Sequence, residues 1–483
     1  MKKKVYLLIA AMSACMMFVS ACGPSVAEMM EMYDQDMADG TFSRSVPHLI
    51  EFIQDDEDGS DEDYLLWRLM LAGAYAYQGK TEEAIKEFDF AEDRFLRNDK
   101  EFSFLAASSG YLVNERYFEF NGYGQDRIFT SLYKALSYAA RNEKAKARTE
   151  FNRMMEHQEN WLFIRRNEIS KAAEKGNAAL GASDDADKAQ EAQKNSAAIF
   201  SNPAFHSLLA QHCKFDINNS GNLNKLRPED YQNAYITHLC GVFRWLNGDG
   251  AVNYLRDAAK LNPGNTILTA DAAEAAANVK PTDTVWVYVE DGLCPIREEC
   301  RLDLPLVLIP YVNRYVLYAG MAIPAMIPRS EASQTYNIES ADGIVGMTDL
   351  ESIDRLMKTE YDVYMHGLVQ RELTRCMMKV APQVAAGIAA DVVTDDYARL
   401  GLRAAQLAAA AYARASTYAD LRSWRYLPKR VLLQKIKRPA DGKITVAAFN
   451  AKYDFNVPEG NNIVWFRKPT ASTHPSVQII NFQ

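Results

Sequence analysis

Leu66-Trp67-Arg68-Leu69-Met70-Leu71-Ala72-Gly73-Ala74-Tyr75-Ala76-Tyr77-Gln78-Gly79-Lys80-Thr81-Glu82-Glu83-Ala84-Ile85-Lys86-Glu87-Phe88-Asp89-Phe90-Ala91-Glu92-Asp93-Arg94 is the stretch whose reading decides the fold. Leu71, Ala72 and Tyr75 fall on one side of a first helix, and Ala84, Phe88 and Ala91 recur at the four- and three-residue steps of a second. Gly79 stands in the turn between them. Small residues let the two helices approach, while Tyr75 and Phe88 fill the space between layers. The expected product is a helical hairpin whose apolar face needs a neighbour to cover it.

The stretch resembles a tetratricopeptide unit. A second unit reads from Phe129 to Met155, with Tyr138 on one helix and Ala147 and Phe151 on the next. Ala84 and Ala147 lie 63 residues apart, against a regular period of about 34, so an insertion falls within Phe95–Asp126. A third unit comprises Tyr235–Leu246, the turn Asn247-Gly248-Asp249-Gly250, and Ala251, Leu255, Ala258 and Pro263. Gly181–Asn195, rich in small and charged residues, reads as an exposed linker or helix extension. The repeats are irregular, which argues against a long uniform superhelix.

At Pro281 the character changes. Thr284-Val285-Trp286-Val287-Tyr288-Val289-Glu290 is rich in β-formers and Asp291-Gly292 punctuates it. Arg301–Ile309 and Arg314–Tyr318 read as further β pieces. Thr348–Val380 reads as a helix capped at Thr348 or Asp349, and Ala381–Ala415 as an alanine-rich core helix or hairpin. Its charged residues argue against a membrane span; a sharper reading makes it a contact for lipid or a membrane partner. Short β stretches follow at Arg430–Ile436, Lys443–Phe449 and Ile463–Phe466. The expected fold class is mainly α: irregular tetratricopeptide-like helical repeats over 61–280, then an α+β region over 281–425 with alanine-rich helices, and a small C-terminal β element over 426–483.

Lys2, Lys3 and Lys4 precede an apolar stretch, Val5–Val19, that ends in Val19-Ser20-Ala21-Cys22-Gly23. A basic start, apolar middle and small-residue end make an export signal. The segment resembles a bacterial lipoprotein signal, which implies lipid on the Cys22 thiol and cleavage after residue 21, leaving a tether over 22–60. Buried acyl chains contribute roughly 0.8 kcal/mol per methylene. Gly23 beside the cysteine implies sorting to the outer membrane, with the protein facing the periplasm. Cleavage would leave 462 residues and, with three lysines gone, move the formal charge from −9 to −12. That acidic total argues against a nucleic-acid partner. The acidic run Asp55–Asp63 reads as a solvated loop and lacks the spacing of a calcium-binding loop.

Cys294 and Cys300 bracket five residues. A disulfide between them would close a short loop if the chain turns there, whereas an extended run over Cys294–Leu304 would hold them too far apart. The densest polar cluster is Glu290, Asp291, Arg297, Glu298, Glu299, Arg301 and Asp303. Paired carboxylates on opposite faces of a scissile bond are the apparatus of glycan cleavage; the plainer role is a solvated or cross-paired sheet face. Asp420, Arg422 and Trp424 read as a lock at the following junction, with Arg422 forking onto Asp420 or another carboxylate. The seven histidines form no metal-binding spacing, and no hydrolase elbow, phosphate loop or dinucleotide fingerprint is present. The expectation is no metal, no cofactor and no assigned catalytic residue.

Taken together, the chain resembles a family of uncharacterised bacterial lipoproteins with tetratricopeptide-like helices. The resemblance rests on Tyr133–Tyr138 with Arg148–Arg153, on Glu290-Asp291-Gly292 with Ile296–Glu299 and Arg301–Pro305, and on Ala419–Trp424 before Leu427-Pro428. It implies architecture and location and supplies no catalytic residues. The functional expectation is a membrane-anchored scaffold or assembly factor that binds an envelope protein or peptide, serving secretion or cell-wall synthesis. A hydrolase of cell-wall or surface glycans and a purely structural self-associating protein are the alternatives.

Overall fold

The computed structural model describes residues 24–56, 59–105, 116, 118–161, 186–218, 223–310 and 313–482. The signal stretch 1–21, Cys22 and the 181–185 part of the expected linker lie outside the described residues. A helical region precedes a mixed α/β region, as the composition change at Pro281 predicts.

The helices in chain order are α1 Val26–Asp39, α2 Ser45–Asp55, α3 Tyr64–Tyr77, α4 Thr81–Leu105, α5 Gly124–Ala140 and α6 over 144–161. They continue with α7 Ala186–Phe200, α8 Pro203–Cys213, α9 Pro228–Tyr231, α10 Ala234–Leu246, α11 Val252–Leu261 and α12 Thr266–Ala276. Three hairpins, α3–α4, α5–α6 and α10–α11, turn in the same way. Gly79, Asn142 and Gly248 adopt positive φ (73°, 60° and 73°). The next residue's N–H reaches back to close the helix: Lys80 to the Tyr75 carbonyl, Glu143 to Tyr138 and Asp249 to Arg244, each at 2.9 Å. This closure satisfies carbonyls that a helix end otherwise leaves bare. α3 is buried on nearly all sides, and Gly73 on it lets Tyr33 and Tyr426 lie against its backbone; a Cβ there would come within 2.9 Å of the Tyr33 hydroxyl and of the Tyr426 ring.

The strands are β1 Thr284–Asp291, β2 Ile296–Asp303, β3 Gly320–Ile327, β4 Tyr336–Ser340, β5 Gly343–Gly346, β6 Thr348–Ser352, β7 Arg430–Lys437, β8 Lys443–Ala448, β9 Ala451–Asn456, β10 Asn461–Lys468 and β11 Ser476–Phe482. One sheet has the order β11-β10-β1-β7-β6, a second the order β5-β4-β8-β9, and β2 pairs with β3 alone. β1 runs parallel to β10 and antiparallel to β7. Its inward residues Trp286 and Tyr288 pack with the helices. Val285, Val287 and Val289 pack with Ile338, Ile444 and Val446 of the four-stranded sheet. Coverage on both faces is why β1 reads as a continuous apolar run.

Residues 426–483 therefore do not stand apart as a β element. β7 and β10 flank β1, because the buried run at 284–291 needs a hydrogen-bonded strand on each side. Other expectations are also corrected. Leu306–Leu308 and Asn313–Tyr315 are single 3₁₀ turns, and the second strand starts at Ile296. Thr348–Ser352 is an edge strand on β7, so the helix begins later, as α13 Ile353–Val392, capped by the Ser352 hydroxyl on the Arg355 N–H. The alanine-rich segment does form the expected hairpin, from the end of α13 and α14 Asp396–Ala415, but α14 buries only Gln406, Ala410 and Ala413 and is otherwise a surface helix and not part of the core.

Cys294 and Cys300 are not bonded to each other. β2 carries Cys300 away in an extended run, and it pairs instead with Cys213 at the end of α8, 87 residues earlier. Cys294 is a free thiol, and its burial pushes it up to about 11. The bridge fastens α8 to β2 over a core shared with α13. Cys300→Ser is expected to cost about 2–4 kcal/mol by freeing that long loop in the unfolded chain, read as a lower urea midpoint.

Candidate functional site

β1 delivers two adjacent carboxylates to opposite faces of its sheet, because successive side chains alternate along a strand. Glu290 points to the helices. It accepts hydrogen bonds from the Tyr133 hydroxyl of α5 and the Tyr235 hydroxyl of α10, both at 3.0 Å. Arg467, its neighbour on β10, sets Nε 3.6 Å away. That guanidinium also donates to the carbonyls of Gly292 (2.7 Å), Glu290 (3.2 Å) and Tyr426 (2.7 Å). The rings of Tyr426, Trp424 and Trp465 meet the Tyr133 ring in T-shaped contacts, with centroids 5.2–6.1 Å from its own. Burial raises the Glu290 carboxyl above its ordinary range, opposed by Arg467 and the donated hydrogen bonds. Burial, followed by the Glu290 charge, puts both phenols well above theirs.

Asp291 faces the four-stranded sheet. It accepts from the N–H groups of Ala332 (3.0 Å) and Ser333 (3.2 Å), from the Tyr336 hydroxyl (2.8 Å) and from Arg430 Nε (2.9 Å). Neither carboxylate meets solvent. The pair therefore ties helices, central sheet and second sheet together at the end of one strand.

The remaining members of the expected cluster disperse along β2. The Arg297 guanidinium lies 3.9 Å over the Tyr123 ring. Glu298 and Asp303 are exposed, and Glu299 accepts the Ala419 N–H at 3.0 Å. Glu290, Asp291, Glu298 and Asp303 do not converge, so these residues do not assemble a facing carboxyl pair. Arg297 instead shares a small enclosed cavity, about 20 Å³, with Asp126, Glu360, Tyr361 and Ser423. Asp126 Oδ2 accepts the Tyr123 N–H at 2.8 Å at the start of α5. Burial pushes its carboxyl up to about 7, the Tyr123 N–H acts downward, and the Glu360 charge adds to the rise. Glu360 in turn accepts the Gly124 and Gln125 N–H groups at 2.6 and 3.3 Å, where a helix N-terminus favours a carboxylate.

At the junction after α14, Arg422 forks onto Asp420 (2.9 and 2.7 Å) and reaches Asp63 at 3.0 Å. This is the two-pronged pairing its sequence context predicts, extended to an acid 359 residues away. Trp424 is fully buried beside Phe88. A second network has no sequence signal. His238 Nε2 lies 2.9 Å from Asp271, Tyr288 Oη lies 2.9 Å from His238 Nδ1, and Trp286 Nε1 and Lys435 Nζ donate to Asp271 at 2.8 and 2.7 Å. Burial acts to raise the Asp271 carboxyl, yet the donors from His238 and Lys435 hold it below its ordinary range. Its members come from separate elements with no common spacing.

Two solvent-facing features stand out among the described residues. An open groove of about 370 Å³ is lined by Arg227, Asp230, Asn262, Asp349, Glu351 and Arg355. The α13–α14 hairpin carries an apolar face: Tyr397, Leu400, Leu407 and Tyr412 are 87, 69, 64 and 66% exposed, and Ile388 and Val392 on α13 are also exposed. Among the described residues no helix is long and apolar enough to cross a membrane, and no cluster of three or more His, Cys, Asp or Glu side chains is set to hold a metal ion. No protein-family model, curated protein or solved structure matches the chain.

Proposed function

We propose that the protein is a lipid-anchored component of the bacterial cell envelope that works by binding other proteins. On this reading Cys22 carries the lipid, the outer membrane holds it, and the folded part faces the periplasm. The helical hairpins α3–α4, α5–α6 and α10–α11 are irregular tetratricopeptide-like units, a reading supported by their shared turn closure. The observation that carries the binding role is the solvent-facing apolar side of the α13–α14 hairpin. Apolar side chains of this size left in water mark interaction surfaces, whereas the strongest polar groups, Glu290, Asp291 and Asp271, are buried and committed to internal partners.

Crosslinking in native membranes with partner identification tests the proposal, comparing the natural chain with Cys22→Ala and Leu407→Glu. Cys22→Ala is expected to leave the membrane fraction while staying folded. Leu407→Glu is expected to stay attached and lose the protein captured through this face. Unchanged attachment of the first variant, or unchanged adducts with the second, would overturn the corresponding half.

A further inference from the structure

We infer that the partner of the exposed α14 face is the same face of a second copy, the two helices packing antiparallel about a twofold axis that crosses the seam between Ala404 and Ala408. This deepens the proposed binding role and rests on it. α14 buries Gln406, Ala410 and Ala413 against its own chain. On the opposite side Tyr397, Gly401, Ala404, Ala408, Ala411 and Ala415 are all exposed. Their steps are four, three, four, three and four residues, the repeat of a seam between two packed helices. Leu400 and Leu407 border one edge and Tyr412 the other. At 100° per residue no charged side chain enters the arc from Leu407 through Tyr397 to Ala405.

Two further observations select the occupant. Gly401 sits inside the helix, where a Cβ would meet nothing within 4 Å. Glycine weakens a helix interior relative to alanine, and nothing among the described residues of its own chain uses the missing side chain; a helix approaching from outside would. The charges are also self-complementary. Asp396 and Arg414 are 18 residues apart, five turns, so they share one edge of the face at its two ends, about 27 Å apart. Antiparallel pairing sets Asp396 beside Arg414 of the second copy and repeats the contact at the other end. Parallel pairing would carry the second copy's Asp396 and Arg414 to the opposite flank of the seam and leave all four charges without a counterpart across it. The antiparallel register also opposes Tyr397 to Ala415, large against small, and opposes the helix dipoles.

The test is thiol crosslinking of the full lipidated chain in membranes. The cysteines at 240, 294 and 376 are buried and 213 is bonded to 300, so one introduced surface thiol reports alone among the described residues. Leu407→Cys, near the axis, is expected to give a product of twice the chain mass with a short bismaleimide. Tyr397→Cys alone should give none, but mixed with Ala415→Cys it should give a dimer. Adding Ala408→Glu, at an exposed position, should cut the Leu407→Cys product at least tenfold with an unchanged circular dichroism spectrum. Absence of the Leu407→Cys dimer, a dimer from Tyr397→Cys alone, or indifference to Ala408→Glu would overturn the antiparallel pair. An adduct of Leu407→Cys with a different protein would overturn self-pairing and leave the binding role standing. No adduct of any kind would remove both.

Discussion

Arg467→Ala is expected to lower the stability of the fold by about 3–5 kcal/mol, the usual cost of stripping one partner from a buried ion pair. Arg467 and Glu290 are both fully buried, so water cannot replace the guanidinium. The substitution leaves Glu290 with two phenol donors and no counter-charge, and it bares the carbonyls of Gly292 and Tyr426. Buried acceptors without donors add their own penalty. Glu290→Gln keeps the shape and removes the charge, so its cost should be far smaller. The double variant should lose less than the sum of the two single losses, because the buried charge that made Arg467→Ala costly is gone. Urea midpoints at constant slope measure all three. Equal losses for Arg467→Ala in the natural and Glu290→Gln backgrounds would show that the pair is not coupled.

Asp126→Asn is expected to change how stability depends on pH. A carboxyl near 7 in the folded chain and near its ordinary 3.8 when unfolded binds its proton more tightly when folded. The folded state is therefore favoured at low pH, and that advantage is lost as the pH rises from about 4 through about 7. At about 1.4 kcal/mol per pH unit the full loss is on the order of 4 kcal/mol. Asparagine can still accept the Tyr123 N–H and does not ionise. The variant should overtake the natural chain progressively across that window and exceed it above pH 7. The groups facing the site are Glu360, whose charge raises Asp126, and Arg297 and Arg127, which oppose it. Parallel stability curves for the two proteins between pH 4 and 8 would refute the assignment.

The sequence was most legible where the physics is local. Gly79 and Gly248 sit in the turns expected of them, and Ala84, Phe88, Ala147, Phe151 and Leu255 are buried as their spacing predicts. The run at Thr284–Glu290 is a strand. Reading failed where neighbours override propensity. Thr348–Ser352 looks like a helix start but completes the edge of a sheet, because β7 offers unpaired backbone groups there. The polar cluster 290–303 looked unified because its members are close in sequence, yet strand alternation and the break at Gly292 send them to four different surroundings. His238 and Asp271 carry no motif, and only packing brings them together.

Short-range periodicity thus determined by itself the helical hairpins α3–α4, α5–α6 and α10–α11 and the strand β1, and which of their faces are apolar, since that information lies within a few turns of chain. Tertiary structure alone decided the pairings: β1 with β10 and β7, Glu290 with Arg467, Arg422 with Asp63, Cys300 with Cys213. Each joins residues 87 or more positions apart, and burial, charge and hydrogen bonding choose among many locally equivalent partners only once the layers have closed.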